Sequence, residues 1–472
     1  MTFETLKRNH LKRNILIAVA IVFILSAIIL TFTRAKYKTT ESIPLLNGTI
    51  NYTLADLNVV AMYVDGSEVD ALPNGNFVLT SESYCTNEDG EKDESITISY
   101  DSATQGLSVS PLTKKGTKCY LYFESVPTSN VQILATVNGA SSNTFPTKDS
   151  NYTPDSISCT NDATAKFDFT DWAVEVDSVD STTCTVNFKD NINETFANYL
   201  ISKECSSTPT SDDAAKNCLV NENGYRYEGK NPNNYVLFND ELWRVIGVFS
   251  METASGNTEN LVKLIRNDTL DGLAWNSSSN NNWSSAKLQQ TLNNGYLNAT
   301  DSTCNFYKEY TKTCYFSETG LNSTSRGMIE SVVWNLGGTS STSATADTFY
   351  TAERGTTVYS GRPTIWTGKV GLMYPSDYGY AVLASSCART TNLGDYDSTA
   401  CAGNNWLKTG SYQWTITPSS SLSASVFYVN VIGILDSRTS VGGSGARPSI
   451  YLKSSIVVLG GDGSRDFPYV IK

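Results

Sequence analysis

Histidine and cysteine, which supply most protein nucleophiles, general bases and zinc ligands, are unevenly placed in this chain. His10 is the only histidine, whereas the ten cysteines run from Cys85 to Cys401. Serine and cysteine nucleophiles are normally activated by a histidine base, and many metal sites contain histidine. Residues beyond position 10 therefore lack the means for these histidine-dependent sites, and we predict neither a metal nor a cofactor.

The cysteines themselves are expected to form structural disulfides. Each lies near one other cysteine in the sequence, which predicts the pairs Cys85–Cys119, Cys159–Cys184, Cys205–Cys218, Cys304–Cys314 and Cys387–Cys401. Proximity is the only basis for this pairing, because sequence does not fix connectivity. Such pairing would leave no thiol for cysteine catalysis. Disulfides also persist mainly in oxidising compartments, which indicates an extracellular location for this part of the chain.

One class of enzyme needs no histidine. Glycoside hydrolysis requires two carboxylates that lie about 5–9.5 Å apart. Asp240, Glu241, Asp377 and Asp436 are candidates, but no pattern in the sequence brings two of them together. We therefore expect a protein that binds without catalysis, and a carboxylate-dependent glycoside hydrolase remains an alternative.

Residues suited to ligand binding concentrate after Asn191, where seven of the eight tryptophans lie. An indole ring can stack on a sugar, and Trp406 and Trp414 lie in loop-like sequence. Arg447 follows a glycine-rich turn and precedes a proline. Its guanidinium either presents a forked donor to a ligand or ties a loop to the core. Together with Asp377, these three residues are the candidate ligand-binding residues.

The segment before the cysteines predicts a membrane anchor. Residues 15–32 are apolar except for Ser26 and Thr31, and a helix of that length rises about 27 Å, enough to cross the hydrocarbon core. The run is longer than the apolar part of most signal peptides, although the triplet Thr33-Arg34-Ala35 leaves cleavage as an alternative. Basic residues flank both ends of the run, so the distribution of charge does not decide its orientation. The placement of all cysteines after the run favours a cytoplasmic N-terminus and an extracellular body. We expect a single-pass protein of the plasma membrane.

Composition agrees with an extracellular, β-rich protein. The chain has a net charge of −12, only 17% of its residues are charged, and its 26 tyrosines and 32 glycines suit strands and turns. Because no basic stripe is present, a nucleic-acid partner is not expected.

Two stretches between residues 55 and 190 follow one template. Each contains a Val-Asx-Gly triplet, a proline, two cysteines and a phenylalanine: 64–66, Pro73, Cys85, Cys119 and Phe123 in the first, and 137–139, Pro146, Cys159, Cys184 and Phe188 in the second. Alternating runs such as 95–100 and 183–188 predict half-buried strands. We expect two β-sandwich-like modules, 55–128 and 129–191, in which a disulfide contributing about 3–4 kcal/mol supports a small core.

The modules are interpreted as a stalk. Neither copy offers an evident cluster of reactive or aromatic residues beyond what a core needs, and a binding module is the alternative. The predicted organisation is therefore a cytoplasmic tail, a transmembrane helix, a linker, two β modules and a distal domain: 1–14, 15–33, 34–54, 55–128, 129–191 and 192–472.

The distal segment predicts an α+β domain. Strands are expected at 235–238, 242–249, 261–265, 370–373, 425–434, 449–452, 456–459 and 469–471. A hairpin turn is expected at Asn239-Asp240. Serine caps predict one helix over 287–292 and another from Ser325 through 328–336, and residues 337–362 predict a long surface loop.

Three segments carry a resemblance to a known family. They are 242–247 (LWRVIG), 371–380 (GLMYPSDYGY) and 445–452 (GARPSIYL), and they resemble an uncharacterised family of membrane-anchored surface proteins of Gram-positive-type bacteria. The element order and the late Gly-x-Arg-Pro strand also resemble C-type-lectin-like folds, including those of formylglycine-generating enzymes and phage receptor-binding proteins. The resemblance implies a C-type-lectin-like distal domain. The copper-dependent cysteine chemistry of formylglycine-generating enzymes is not expected in this chain, because its cysteines are expected to be paired in disulfides.

The sequence therefore predicts a mainly β, single-pass cell-surface protein with a distal recognition domain on a stalk. Adhesion, or binding of a carbohydrate or host-surface ligand, is the expected function. A structural envelope protein is the main alternative.

Overall fold

The computed structural model describes residues 58–73, 77–87, 89–101, 106–111, 117–125, 131–177, 181–397 and 399–472. The protein is mainly β, as predicted. The predicted membrane anchor at 15–33 lies outside the described residues. Among the helices that the structure describes, none is both long and apolar enough to cross a membrane. The chain divides into two compact units, Met1–Ser129 and Asn130–Lys472.

The first module lies in the first unit and has two layers. Its strands are β1 (Asn58–Val64), β2 (Ser67–Val69), β3 (Phe77–Leu79), β4 (Tyr84–Thr86), β5 (Thr97–Asp101), β6 (Gly106–Ser110) and β7 (Lys118–Ser125). Strand β7 lies at the centre of one sheet, parallel to β1 and antiparallel to β3 and β4. The β5–β6 hairpin forms the second layer, and Ile98, Tyr100, Leu107 and Val109 pack it on the core.

The second module repeats this topology within the second unit. Its strands are β8 (Val131–Val137), β9 (Ala140–Ser142), β10 (Tyr152–Cys159), β11 (Thr164–Asp168), β12 (Ala173–Asp177) and β13 (Thr182–Asp190). Strand β13 is parallel to β8 and antiparallel to β10, and β11–β12 is the separate hairpin. The register is also repeated, since Val64 lies opposite Phe123 and Val137 lies opposite Phe188.

All five predicted cysteine pairs are disulfides in the structure. In each module the bridge joins directly opposite residues of adjacent antiparallel strands, Cys85 with Cys119 and Cys159 with Cys184. The two bridges therefore occupy equivalent positions, which agrees with the repeat seen in the sequence.

The distal part of the second unit contains two large sheets. Its strands are β14 (Glu194–Thr195), β15 (Val220–Asn221), β16 (Tyr225–Arg226), β17 (Tyr235–Phe238), β18 (Glu241–Glu252), β19 (Thr258–Arg266), β20 (Leu270–Ala274), β21 (Ser302–Tyr307), β22 (Tyr310–Cys314), β23 (Val332–Asn335), β24 (Ile365–Gly368), β25 (Val370–Gly371), β26 (Gln413–Pro418), β27 (Ser425–Val429), β28 (Leu435–Thr439), β29 (Gly443–Ala446), β30 (Ser449–Tyr451), β31 (Val457–Gly460) and β32 (Tyr469–Ile471). The central sheet has the order β14-β31-β32-β17-β18-β19-β30-β25, and the second sheet has the order β20-β29-β26-β27-β28.

The hairpin at the centre of the main sheet follows directly from its sequence. Asn239 and Asp240 both adopt positive φ angles, 61° and 57°, which is the geometry of a two-residue type I′ turn. Strand β18 is then almost continuously buried from Trp243 to Phe249, because helices and loops cover one of its faces and core side chains cover the other.

Helices are short and lie around the sheets. They are α1 (Phe196–Ile201), α2 (Asp212–Ala215), α3 (Lys287–Gln290), α4 (Phe316–Thr319), α5 (Ser323–Met328), α6 (Ala346–Glu353) and α7 (Pro375–Tyr380). The predicted helix over 328–336 is wrong: α5 ends at Met328, and the β-branched pair Val332-Val333 begins strand β23 instead. The predicted loop over 337–362 contains α6, which is capped by Thr345.

The second module packs against the distal domain inside their common unit. Its core cluster includes Leu237, Phe467 and Val470 of the distal domain, and the rings of Phe169 and Phe467 meet edge to face at 6.3 Å. These contacts join the second module to the domain that follows it.

Candidate functional site

The two tryptophans proposed to bind a ligand are buried. Trp414 lies in β26 with 1% of its surface exposed, and its indole N–H donates to the carbonyl of Leu273 over 2.7 Å. Trp406 is 7% exposed, donates to the carbonyl of Tyr227 and packs against the guanidinium of Arg244. Both indoles therefore pack in the core of the distal domain.

Arg447 ties loops to the core, which was the second of its two sequence interpretations. Its Nε donates to the carbonyl of Arg266 over 2.9 Å, and its Nη1 donates to Leu407 and to the side chain of Gln413. The side chain is buried. Burial, followed by the nearby charge of Arg244, lowers the pKa of Arg447 to about 9. Since its donors face protein acceptors, no fork is presented to solvent.

Asp377 lies at the centre of a buried charge cluster. Its carboxylate accepts hydrogen bonds from Arg226 Nη1 over 3.0 Å, from Lys263 Nζ and from the backbone N–H of Tyr374. Burial alone would raise the pKa of Asp377, but Lys263 and Arg226 lower it below its usual value. Burial likewise lowers the pKa of Lys263 to about 8, against the opposing effect of Asp377.

This cluster contacts all three segments that carried the family resemblance, because Asp377 lies within 371–380, Arg226 is paired with Gly247 and Lys263 is paired with Tyr451. Arg226 belongs to β16, Lys263 to β19, and Asp377 to the first turn of α7. A buried ion pair that is fully hydrogen-bonded fixes the relative position of its elements, and removal of one partner is costly. The cluster therefore positions the central sheet against α7.

The four carboxylates considered for glycoside hydrolysis contact four different sets of partners. Asp240 accepts from Asn322, and Glu241 is paired with Arg266. Asp377 is buried in the charge cluster, whereas Asp436 accepts from Tyr428 and from the backbone of Ser437. Within the described residues, no group of three or more His, Cys, Asp and Glu side chains is arranged to hold a metal ion.

A group of polar and aromatic side chains lies on the second sheet instead, in which Tyr428 is buried at 9% exposure, Arg438 is partly exposed and Asp436 is exposed. It consists of Tyr412, Tyr428, Asp436 and Arg438, and we call it the tyrosine–arginine surface. Tyr428 of β27 lies directly opposite Asp436 of β28, and Arg438 is two residues further along β28. Because side chains alternate across a strand, Asp436 and Arg438 share a face with Tyr428. Tyr412 precedes β26 and is 43% exposed.

Short contacts define the geometry of this surface. The rings of Tyr412 and Tyr428 lie 5.8 Å apart, and the Tyr428 hydroxyl donates to Asp436 over 3.3 Å. The Arg438 guanidinium lies 5.7 Å from the Tyr412 ring and 5.5 Å from the Tyr428 ring. Burial and then Asp436 raise the pKa of Tyr428, so its hydroxyl stays protonated.

The turn between β28 and β29 holds the arginine in place. Arg438 Nη1 donates to the carbonyl of Gly443 and to the hydroxyl of Ser444. A Cβ atom at Gly442 would lie 2.7 Å from Arg438 Nη2, so glycine at this position lets the guanidinium lie against the turn. The guanidinium is thereby held in place while the Arg438 side chain remains partly exposed.

A disulfide-closed hairpin adjoins the same turn. Strands β21 and β22 are joined by Cys304–Cys314, and the backbone N–H of Lys308 at their tip donates to the carbonyl of Val441. Tyr307 and Tyr310 at this tip are 53% and 56% exposed. Exposed aromatic side chains therefore lie on both sides of the β28–β29 turn.

This arrangement suits the recognition of a polyol. Aromatic rings pack against the apolar face of a sugar, while a carboxylate and a guanidinium bind its hydroxyl groups. Sequence reasoning named Asp436 only as a candidate carboxylate for hydrolysis, and it missed Tyr412, Tyr428 and Arg438 because it searched for tryptophan in loops. The placement of Asp436 and Arg438 two residues apart, on one face of a strand, was the available signal.

Comparison of the chain with models of protein families, with curated proteins and with solved structures found no match. The interpretation of the site therefore depends on its geometry.

Proposed function

We propose that this protein is a cell-surface recognition protein whose distal domain binds carbohydrate without catalysis through the tyrosine–arginine surface. The observation that carries the proposal is the ordered group on one face of the second sheet, in which the exposed Tyr412 and Asp436 and the partly exposed Arg438 are held by the buried Tyr428. The exposed Tyr412 ring next to one acid and one guanidinium supplies stacking and hydrogen bonding together. The separate environments of the four candidate carboxylates favour binding over hydrolysis.

The proposal includes the topology expected from the sequence. Residues 15–33 would span the plasma membrane, the N-terminus would be cytoplasmic, and the disulfide-containing body would be extracellular. The oxidised state of all ten cysteines supports this location, because disulfides persist in oxidising compartments. The C-type-lectin-like character of the distal domain is part of the same proposal and is supported by its paired β elements and short helices.

Glycan binding by the full-length chain in detergent tests this function. The chain is applied to an array of neutral and acidic oligosaccharides, and positive glycans are titrated by calorimetry. We expect Tyr412→Ala and Arg438→Gln each to weaken binding about tenfold, equivalent to about 1.4 kcal/mol. Tyr359→Ala is the control, because Tyr359 is a half-buried tyrosine beside Arg362 in a different loop.

The outcome distinguishes recognition from a purely structural role. Glycan binding that survives both substitutions would contradict this assignment of the surface. Uniform absence of glycan binding by the wild-type chain would favour the structural envelope protein.

A further inference from the structure

The first module carries a row of four tyrosines on the outward face of its main sheet. Tyr63 belongs to β1, Tyr120 and Tyr122 belong to β7, and Tyr84 belongs to β4. Strand β7 alternates, with Cys119, Leu121 and Phe123 buried and the intervening tyrosines half-buried. We call these four residues the tyrosine row.

Strand register places the four rings side by side. Tyr63 lies directly opposite Tyr122, and Tyr84 lies directly opposite Tyr120. The ring centroids of each pair are 5.0 Å apart, with interplanar angles of 9° and 20°. Because neighbouring strands are about 4.8 Å apart, each pair stacks across one strand interface, and the two pairs together span three strands on one face.

The second module shows that the fold does not need these rings. Equivalent registers place Thr136 at the position of Tyr63, Asn187 at that of Tyr122, Thr185 at that of Tyr120 and Ser158 at that of Tyr84. Thr136 donates to Asn187, and Asn187 donates to Ser156, so a polar network covers this face. The same topology is therefore built with small polar residues on the outward face.

Sheet stabilisation alone is a weak reason for the row. A cross-strand aromatic pair contributes roughly 0.2–1 kcal/mol, while four large rings on an outward face leave apolar surface in contact with water. The phenolic hydroxyls of the tyrosine row are also available to bind a ligand. Within the described residues, no hydrogen bond satisfies the phenolic oxygens of Tyr63, Tyr84, Tyr120 and Tyr122. The row thus presents both apolar surface and free donors.

Carboxylates border the row. Glu68 of β2 lies directly opposite Tyr63, and Glu124 of β7 follows Tyr122 on the same face. A groove of about 350 Å³ beside Tyr122 is also lined by Asp65, Glu82 and Glu124. Burial and then Glu68 raise the pKa of Tyr63, so its hydroxyl remains a neutral donor. An anionic ligand is disfavoured here, whereas carboxylates accept hydrogen bonds from sugar hydroxyls.

The matching groove of the second module has a different charge pattern. It has a volume of about 590 Å³ and is lined by Asn187, Asp155 and Lys189 among others. Lys189 occupies the position of Glu124 and forms an ion pair with Asp155 over 2.8 Å. The combination of rings and carboxylates is therefore specific to the first module.

We propose that the tyrosine row is a separate binding site for a neutral polysaccharide, in which sugar rings pack on the tyrosines and hydroxyls bind the bordering carboxylates. Two stacked pairs spread over three strands suit an extended polymer better than a single sugar. The first module would then hold the protein to a polymeric matrix, independently of the distal domain.

The repeat supplies a substitution set that the fold already tolerates. In the swap variant, Tyr63→Thr, Tyr84→Ser, Tyr120→Thr and Tyr122→Asn replace each tyrosine by the residue of the second module. The full-length chain in detergent is run through native gels that contain hydroxyethylcellulose, galactomannan, dextran or the polyanion alginate. We expect at least one neutral polymer to retard the wild-type chain and at least a tenfold weaker retardation of the swap variant.

Two further variants separate this site from the others. Tyr359→Ala is expected to be retarded like the wild-type chain, because Tyr359 lies outside both the tyrosine row and the tyrosine–arginine surface. The reverse graft, Thr136→Tyr, Ser158→Tyr, Thr185→Tyr and Asn187→Tyr, is expected to increase retardation. Circular dichroism of the disulfide-intact variants checks that each remains folded.

Four results would overturn the proposal. The first is retardation by alginate alone, and the second is the absence of retardation by every neutral polymer. The third is equal retardation of the wild-type chain and a folded swap variant. The fourth is a loss of retardation in Arg438→Gln but not in the swap variant. If sedimentation shows that the swap variant instead abolishes a dimer, the row is an interface between copies of the chain.

Discussion

The two modules share topology, register, turn and disulfide position, yet their outward faces differ completely. In the first module this face is aromatic and bordered by acids, and in the second it consists of hydroxyl and amide side chains. Inward-facing residues behave differently, since Leu121 and Phe123 correspond to Val186 and Phe188. The fold therefore constrains one face of β7 and β13 and leaves the other free for a separate role.

The modules also differ in what supports them. Among the described residues, the core cluster of the first module consists of its own side chains, such as Val59, Leu121 and Phe123. The core cluster of the second module extends into Leu237, Phe467 and Val470 of the distal domain. Equivalent substitutions should therefore destabilise the first module more than the second.

Removal of the module disulfides tests this inequality and has the largest expected effect. The bridges span sequence separations of 34 and 25 residues, so each is expected to contribute about 3.5–4 kcal/mol by limiting the unfolded chain. We expect Cys85→Ser with Cys119→Ser to unfold the first module. We expect Cys159→Ser with Cys184→Ser to leave the second module folded, because distal contacts still support it.

Hydrogen–deuterium exchange read separately over residues 58–125 and 131–190 measures both effects. The wild-type chain with its disulfides intact provides the reference for each region. Equal loss of protection in the two modules would show that contacts to the distal domain do not stabilise the second one.

The contact with the distal domain is tested by Phe169→Ala. Phe169 is 6% exposed and packs on Phe167 and Phe467, so its loss should lower the free energy of unfolding by about 3 kcal/mol. The destabilisation should extend into the distal domain and appear as faster exchange around Phe467. Phe145→Ala is the control, because Phe145 is 37% exposed and packs on Phe188 within the module. Similar exchange around Phe467 in both variants would contradict the coupling.

Much of the fold could be predicted from the sequence, because several of the signals were local. Proximity predicted every disulfide, and the Asn239-Asp240 pair predicted the central hairpin. The helix predicted over 328–336 failed for a tertiary reason. Trp334 is fully buried between β24 and the rings of Tyr374 and Tyr451, and this packing favours a strand.

The sites were much less accessible to sequence reasoning. Trp406, Trp414 and Arg447 lie in glycine- and serine-rich sequence, but composition does not show how deeply a loop is buried. The alternation of Tyr120 and Tyr122 with buried residues was visible, yet alternation alone does not tell which face another element covers. Only strand pairing brings Tyr63 and Tyr84 next to them.

The equivalence of the two modules is tested most finely at their first turns, where the expected effect is smallest. Gly66 and Gly139 have φ angles of +77° and +82°, and each has open space where a Cβ atom would lie. Alanine would therefore meet backbone strain without a steric clash. We expect Gly66→Ala and Gly139→Ala to cost the same, about 1 kcal/mol each.

Chemical denaturation monitored module by module through hydrogen exchange measures these costs, and Asp65→Asn is the matched control. Asp65 accepts from the backbone N–H of Ser125, as Asn138 does from Asp190, so an asparagine oxygen can keep this bond. The control should leave stability nearly unchanged. The costs of Gly66→Ala and Gly139→Ala could instead differ by more than the experimental error. In that case the two turns contribute differently to the free energy of unfolding of their modules. The shared register would then not extend to shared energetics, and the outward tyrosines would have to be considered as stabilising elements of the first module.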